Sequence, residues 1–404
     1  MDPVTFRQLL APSGQEVLQA AVVLQPAESD FLPLFTALKK RYPAELARAA
    51  LETAIYRLEA LVKFPFADKM YFTREALEQA SSYEVSSYRA QRYRSFERIA
   101  DLGCSLGADT LTLVQAARGL VMGLDLDELR LSMAQANLAA LDLVDRATFV
   151  QADLTRPLPF PKDPSWGLFF DPARRAKGRR VFSVRQYYPP LQVLRTWTEV
   201  MPALGVKISP GVDLDEVSGY PAEIEFISNH GELKEAVLWF GPLKTAWRRA
   251  TVLPGPFSLS ADESAGAGLN KPGFDLPLAE PGAYLIEPDP SILRAGLVSK
   301  LGKILQASQL DASIAYLTVE SPVTTPFGRS WLVEDWMPFG LKRLRTFLRQ
   351  RNVGSVVVKK RGSPLEPDAL AHDLRLKGDE QRVLFLTQMR GKPIVIIGFQ
   401  LKKS

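Results

Sequence analysis

The chain has 404 residues, enough for two to four domains at roughly 100 to 200 residues each, and its 46% hydrophobic and 24% charged residues exclude a disordered or fibrous chain. Cys104 is the only cysteine, and His230 and His372 are the only histidines. An intrachain disulfide and a Cys/His zinc cluster are therefore excluded, no metal centre is expected, and the expected location is a reducing compartment, the cytoplasm. The net charge of +5 permits a polyanionic partner without requiring one; with no signal-like N-terminus and no run of about 18 apolar residues, no membrane segment is expected.

Residues 32–95 carry apolar side chains at helical spacing, among them Leu46, Ala49, Ala50, Ile55, Leu58 and Leu61, which predicts a helical N-terminal region over 1–94. After Phe96 short apolar runs alternate with amphipathic stretches. Strands are predicted over 99–102, 120–124, 147–150, 168–170 and 205–208, and this alternation implies βαβ units and a parallel sheet over 95–255. His230 falls in Asn229-His230-Gly231, the turn of a hairpin, and is read with His372 as structural. The Pro/Gly/Ser-rich stretch 252–282 reads as a boundary, with a linker or long loop over 256–282. Beyond it strands over 283–286 and 314–318 flank a helix over 291–306. A helix over 341–350, a strand over 355–358, a helix opening near Pro367 and strands over 383–387 and 393–399 complete two small α+β modules, 283–333 and 334–404.

The chemistry concentrates at the strand ends. Asp101-Leu102-Gly103-Cys104-Ser105-Leu106-Gly107 runs from a strand through a glycine turn into a helix, where the backbone can approach a nucleotide-like ligand and the helix offers free N–H groups. An acid at the end of the second strand, about 20 residues on, suits ribose hydroxyls; Asp125 stands there. Asp153 ends the third strand, where a carboxylate can accept from an adenine amino group, and Asp171-Pro172-Ala173-Arg174-Arg175 ends the fourth. Four carboxylates are thus expected along one sheet edge. The alternative role for Asp101, Asp125 and Asp153 is a turn or N-cap just past each strand, and Asp127 reads as the cap of the next helix.

This series resembles the class I S-adenosylmethionine (SAM)-dependent methyltransferases. Asp101-Leu102-Gly103 with Gly107 looks like the first motif, Asp125 like the ribose acid, Asp153 like the adenine acid, and the helix with Ala134, Ala136 and Asn137 like the A-x-x-N helix of the nucleic-acid branch. Ser105 stands where most relatives have a central glycine. More narrowly, Phe170-Asp171-Pro172-Ala173-Arg174-Arg175, Tyr284-Leu285-Ile286-Glu287-Pro288-Asp289 and Val358-Lys359-Lys360-Arg361-Gly362 resemble a bacterial methyltransferase family with a ferredoxin-like module and a THUMP-like C-terminal part. The resemblance implies an α/β fold, a Rossmann-like methyltransferase sheet with small C-terminal modules. It implies SAM as cofactor, held by Asp101, Gly103, Cys104, Gly107, Asp125, Leu126, Asp153 and Leu154.

Asp171-Pro172 looks like the first half of the Asp-Pro-Pro-Tyr-like motif with which amine methyltransferases hold an acceptor nitrogen, and is the expected catalytic pair. Ala173 and Arg174 depart from the second half; the Arg174 plane can stack on a base or bind a phosphate, or Phe170, Tyr187 or Tyr188 can contribute the ring instead. Cations crowd the stretch after Asp171 (Arg174, Arg175, Lys177, Arg179, Arg180, Arg185, Arg195, Lys207) and again from Lys342 to Arg361, as phosphate contacts require. Arg174, Arg175, Lys359, Lys360 and Arg361 are the expected substrate contacts. The expected reaction is methylation of a base nitrogen of RNA, ribosomal or transfer; a protein or small-molecule methyltransferase and a non-catalytic SAM- or RNA-binding factor are the alternatives.

Overall fold

A computed structural model describes residues 1–173, 175–176, 179–180, 183–262 and 276–400. The predicted substrate contact Arg174 lies outside them, and of Arg175 only its place in a two-residue strand is described. The chain divides into two compact units, 1–225 with 234–245, and 226–233 with 246–404. Among the described residues no helix is long and apolar enough to cross a membrane.

The first unit begins with helices α1 (Pro3–Leu10), α2 (Pro12–Val23), α3 (Phe31–Leu38), α4 (Ala44–Ala60), α5 (Arg74–Gln79) and α6 (Tyr83–Ala90). Asp2 caps α1 by accepting from Thr5 N at 2.9 Å, with Pro3 at the first helical position. Leu46, Ala49, Ala50 and Ile55 face the core as their spacing predicts, whereas Leu58 and Leu61 are 42% and 50% exposed. The last turns of α4 leave the helix's own stripe, so the apolar pattern there overstates burial.

The sheet that follows contains β1 (Arg98–Leu102), β2 (Leu120–Asp125), β3 (Ala147–Gln151), β4 (Trp166–Phe170), β7 (Leu204–Ile208) and β9 (Glu232–Trp239), in the order β3-β2-β1-β4-β7-β9. Between β4 and β7 stand the two-residue strands β5 (Arg175–Ala176) and β6 (Arg179–Arg180) and helix α9 (Val193–Thr198); β8 (Glu223–Asn229) precedes the His230 turn. All pairings but that of β9, which runs antiparallel to β7, are parallel. Helices α7 (Ala108–Ala116) and α8 (Glu128–Ala139) connect β1 to β2 and β2 to β3. The chain moves outward from β1 to β3, then returns to lay β4 on the other side of β1, and that reversal opens a crevice at the carboxyl ends of β1 and β4.

Helical region and sheet share a core. Leu106, Ala108 and Met133 pack in the same buried cluster as Phe6, Leu51, Ile55 and Tyr71. Asn137 of α8, fully buried, stitches it: its Oδ1 accepts from Tyr71 N at 2.7 Å and its Nδ2 donates to Tyr71 O at 3.1 Å and Leu106 O at 2.9 Å.

In the second unit β10 (Arg248–Leu253) and β11 (Phe257–Ala261) form an antiparallel hairpin. This corrects the expected linker over 256–282: Pro254-Gly255-Pro256 is a tight turn between strands, and the Pro/Gly signal reported the turn alone. Residues 263–275 of that linker lie outside the described residues. Strands β12 (Tyr284–Pro288), β13 (Ser308–Asp311), β14 (Ile314–Val319), β15 (Gly328–Pro338), β16 (Val353–Lys360), β17 (Glu380–Met389) and β18 (Lys392–Gln400) form one sheet, ordered β13-β14-β12-β15-β18-β17-β16. The expected boundary at 333/334 falls inside β15, which pairs with β12 on one side and β18 on the other. Strand alternation sends Leu384, Leu386, Val395 and Ile397 into one core and Val383, Phe385, Ile394 and Ile396 into another. The single helix expected over 291–306 is two, α10 (Pro290–Arg294) and α11 (Val298–Leu305), because Gly296 at φ +71° turns the chain between them. Helices α12 (Leu341–Gln350) and α13 (Pro367–Leu374) complete the unit.

Replacing Asn137 by Ala strands three buried backbone groups at about 1 kcal/mol or more each. Asn137→Ala is expected to lower the free energy of the first urea transition by about 3 kcal/mol; a loss under about 1 kcal/mol would show that the stitch is not what joins helices to sheet.

Candidate active site

A cavity of about 610 Å³ opens at the β1/β4 crevice, walled by the loop after β1, the ends of β2 to β4, the Tyr188-Pro189 segment and the end of α5. Such a volume suits a nucleoside-sized ligand. The loop after β1 is shaped by backbone geometry. Gly103 adopts φ +83°, and a Cβ there would lie 2.9 Å from the Asp171 carbonyl oxygen; Gly107 adopts φ +81°, and its Cβ would lie 3.0 Å from that of Ala134. Side chains at either position would force the loop off β4 or off α8.

Gly103, Cys104, Asp125, Leu126, Asp153, Leu154, Asp171 and Pro172 all line the cavity, so the structure brings together most of the residues singled out from the sequence. Asp125 Oδ2 accepts from Ser105 N at 2.9 Å and its Oδ1 from Asp127 N at 3.0 Å, which fixes the carboxylate at the mouth of the glycine loop. Asp127 caps α8 by accepting from Arg130 N at 3.1 Å. Asp153 Oδ1 accepts from the Thr155 hydroxyl at 2.6 Å and Thr155 N at 2.9 Å, bonds that hold its carboxyl below the usual range. It is at once a turn residue and part of the wall. Burial pushes the Cys104 thiol well up, so it contributes surface and no thiolate.

Two predicted residues stand behind the wall. Gly107 is the N-terminal flank of α7. Asp101 is fully buried beneath the loop, where its Oδ2 accepts from Thr110 Oγ1 at 2.5 Å. Burial, reinforced by Asp109, raises its pKa well above the carboxylate range. As a direct contact Asp101 is therefore corrected: it supports the loop from inside as a neutral carboxyl.

The fourth strand end carries a pairing between residues distant in sequence. Lys207, on β7 and only 3% exposed at its side chain, donates from Nζ to Asp171 Oδ2 at 2.7 Å. Sequence reading had placed Lys207 in the cationic field around the site; it is instead an internal partner of Asp171. Among the described residues Asp171 Oδ1 has no hydrogen bond. Nearby Arg89, also buried, pairs with Asp109 and Glu235 and lies over the Phe169 ring at 4.5 Å. Burial raises Asp109, while Arg89 and Lys207 outweigh burial at Glu235 and hold it below its usual value. Of the three rings in range, Phe170 is buried against Trp197 and Tyr187 is buried with its hydroxyl accepting from Ser209 N at 2.9 Å. Tyr188 is 56% exposed and lines the cavity, aligned by two backbone bonds with Ala173 at 3.0 and 3.1 Å.

In the second unit the expected contacts Lys359 and Arg361 are half-buried and engaged internally, and Lys360 forms an exposed ion pair. Lys359 pairs with Glu287 over the Trp331 ring, Lys360 with Glu366 at 2.6 Å, and Arg361 donates to Ala315 O at 3.0 Å over Tyr316. For Lys359 and Arg361 this corrects the reading as open contacts, since partners 72 and 46 residues away reach them first, whereas Lys360 stays exposed beside Glu366. Lys342 and Arg343 on α12 are exposed. Among the described residues no group of His, Cys, Asp and Glu could hold a metal.

The neutral Asp101 gives a pH signature. Its raised folded value means that the native state keeps a proton that the unfolded chain releases near pH 4, so its contribution to stability falls as pH rises, by at most about 1.4 kcal/mol per unit. Asp101→Asn keeps an acceptor for Thr110 without this loss, so the unfolding free energy of the variant relative to the wild type should grow from pH 4 to 8. A difference flat across that range would mean that Asp101 is ionised in the fold.

Residues 99–170 match the model of a methyltransferase domain, 328–399 that of a THUMP domain-like family, and 2–60 that of a domain of unknown function. The fold is similar to the crystal structure assigned to a methyltransferase of Porphyromonas gingivalis W83, with a TM-score of 0.75 at 22% identity over 93% of this chain and 100% of that one. Uncharacterized S-adenosylmethionine-dependent methyltransferases of two Mycobacterium tuberculosis strains, CDC 1551 / Oshkosh and ATCC 25618 / H37Rv, are 34% identical over 322 residues, 79% of this chain and 84% of theirs. Kinship at that level along most of both sequences settles what the glycine loop and strand-end acids suggest: the chain belongs to the S-adenosylmethionine-dependent methyltransferases, enzymes whose methyl donor is S-adenosyl-L-methionine.

Proposed function

We propose that the protein transfers a methyl group to a base nitrogen of RNA, ribosomal or transfer, with the cofactor in the cavity at the β1/β4 crevice. The donor set fits that cofactor. Asp125 is fixed where ribose hydroxyls would lie and Asp153 stands at the end of β3 with Leu126 and Leu154 as apolar neighbours. Among the described residues the wall carries the acids Glu78, Asp109, Asp125, Asp127, Asp153 and Asp171 and the cation Arg130, which favours a ligand of positive charge. When bound, SAM supplies an electrophilic methyl group on a sulfonium.

The observation that carries the acceptor assignment is Asp171. Its Oδ2 is held by Lys207, which leaves Oδ1 to accept an N–H from an amine and to orient the nitrogen lone pair. Pro172 stiffens the chain after it, and Tyr188, aligned through Ala173, offers the face on which a base can stack, the role for which Arg174 replaces the ring of related motifs. The acidic wall disfavours phosphate, so on this reading one unpaired or flipped base enters while the backbone stays outside. The THUMP domain-like match supports RNA as the carrier of that base. With Lys359 and Arg361 engaged internally, the exposed face of α12, with Lys342 and Arg343, is the better candidate for phosphate contact, and Lys360 remains exposed.

The test is transfer of labelled methyl from SAM to RNA from a strain lacking the gene, with wild-type RNA and total protein as parallel acceptors. Label confined to the deficient RNA is the expected result; label in protein alone would overturn the reading. Asp171→Ala is expected to keep S-adenosylhomocysteine affinity within about threefold and to lose on the order of 10²-fold or more in kcat. Replacing Lys342 and Arg343 together by Glu should lower RNA affinity and flatten the slope of log affinity against log salt by about 2. An unchanged slope would take phosphate contact away from α12.

A further inference from the structure

Residues 74–82 precede the part of the chain that matches a methyltransferase domain, yet Ala76, Glu78, Gln79 and Ala80 form part of the cavity wall. Both ends of this segment are tied to other parts of the same wall. At one end Glu75 accepts from Arg130 Nη2 at 3.0 Å and from Gln79 Nε2 at 3.1 Å, and Arg130 reaches Asp127 at 3.8 Å, two residues beyond the ribose acid Asp125. At the other, Ser81 Oγ donates to Glu235 Oε2 at 2.9 Å, Glu235 pairs with Arg89, and Arg89 pairs with Asp109, itself a wall residue. The segment therefore spans the cavity from its ribose side to the side of Asp109.

One side chain holds the middle. Lys63 Nζ donates to Leu77 O at 2.7 Å, Glu78 O at 3.2 Å and Ala80 O at 3.0 Å, and the Lys63 carbonyl accepts from Tyr83 N at 2.9 Å. An ammonium has three protons, and all three are used on carbonyls that the short helix α5 leaves open at its end. The cation also sits at the negative end of that helix. Burial pushes the Lys63 pKa down, with Lys207 adding to the effect.

We propose that the 74–82 strap is part of the SAM site: Glu78 and Gln79 face the bound nucleoside and its cationic amino-acid chain, and Lys63 is the positioning residue that holds them there. Gln79 belongs to the ribose side, since its Nε2 is committed to Glu75 while its Oε1 has no partner among the described residues and can accept from a hydroxyl. Glu78 adds a carboxylate to a wall that receives a cation. The inference rests on the cofactor's place in this cavity, and is independent of what the acceptor is.

Calorimetric titration of the full-length protein with S-adenosylhomocysteine and with SAM tests it. Lys63→Met should weaken both at least tenfold, Lys63→Arg should stay within about threefold of wild type because its guanidinium can still donate to several carbonyls, and the double variant Glu78→Ala/Gln79→Ala should weaken SAM at least fivefold with an unchanged melting temperature. Leu18→Ala, in the helical core and away from the cavity, serves as the control for general loosening. If Leu18→Ala weakens the ligands as much as Lys63→Met, or if the Lys63 and Glu78/Gln79 variants bind within twofold of wild type, the proposal falls. Asp125→Ala separates the two levels: retained binding in that variant would overturn the cavity placement itself, whereas lost binding there together with normal strap variants would overturn the strap alone.

Discussion

Everything at the active edge depends on a small set of buried and half-buried charges packed together where water screens them poorly. Asp101, Asp109, Asp171 and Glu235 come from β1, α7, the end of β4 and β9, and Arg89 and Lys207 pair with them as cations. Ionised carboxylates at that spacing repel strongly in a low-dielectric interior, so the arrangement survives only by dividing the charge. Asp101 keeps its proton, Arg89 spans Asp109 and Glu235, and Lys207 takes Asp171. Burial raises Asp109 as well as Asp101, while Arg89 and Lys207 hold Glu235 below its usual value beside the cavity. On the same balance a neutral residue at Arg89 would leave Glu235 an uncompensated buried charge, a loss of about 3 to 5 kcal/mol.

The steric constraints are as tight as the electrostatic ones. Gly103 lies against the carbonyl of Asp171 and Gly107 against Ala134, so the glycine loop is wedged between the end of the strand that leads to Asp171 and the helix that carries Asn137. Asn137 then passes the constraint to Tyr71 in the helical region. The N-terminal helices consequently serve the site in two ways, backing the glycine loop through a shared core and supplying a wall through the 74–82 segment. A chain built on the sheet alone would have the strand-end acids without the surface opposite them.

Sequence reasoning reached the features that rest on local rules. Strand ends carrying acids, the cap at Asp127 and the turn at His230-Gly231 are set by neighbours within a few residues, and each is where its pattern predicts. Features set by distant partners were illegible. Lys207 and Asp171 are 36 residues apart and Arg89 and Glu235 are 146 apart, and no periodicity marks such pairs. Counting charge by sign therefore puts Lys207 in the cationic field around the site and leaves Lys359 and Arg361 open, when each has an internal partner. Proline and glycine marked a change of direction between 252 and 256 but not whether a linker or a hairpin follows, and an apolar run could not show that β15 is shared by two neighbours in one sheet.

The charge pattern also restricts what the acceptor can be. On the proposed reading, the described part of the wall carries six carboxylates, three of them paired with Arg89, Arg130 and Lys207, and disfavours a phosphate in the space that the cofactor takes. A neutral, planar group with an N–H to donate meets no such penalty: Asp171 Oδ1 accepts it, and Tyr188 offers a stacking face. On the reading proposed above, affinity and chemistry are consequently separated, with phosphate contacts made by cations outside the cavity and methyl transfer made inside it. Asp171 is then an orienting group more than a base, because the oxygen bonded to Lys207 has its lone pair engaged and the other is occupied by the N–H that it aligns. The proton released when the nitrogen gains its methyl group leaves to solvent, so the rate is governed by alignment at β4 and not by the strength of a base.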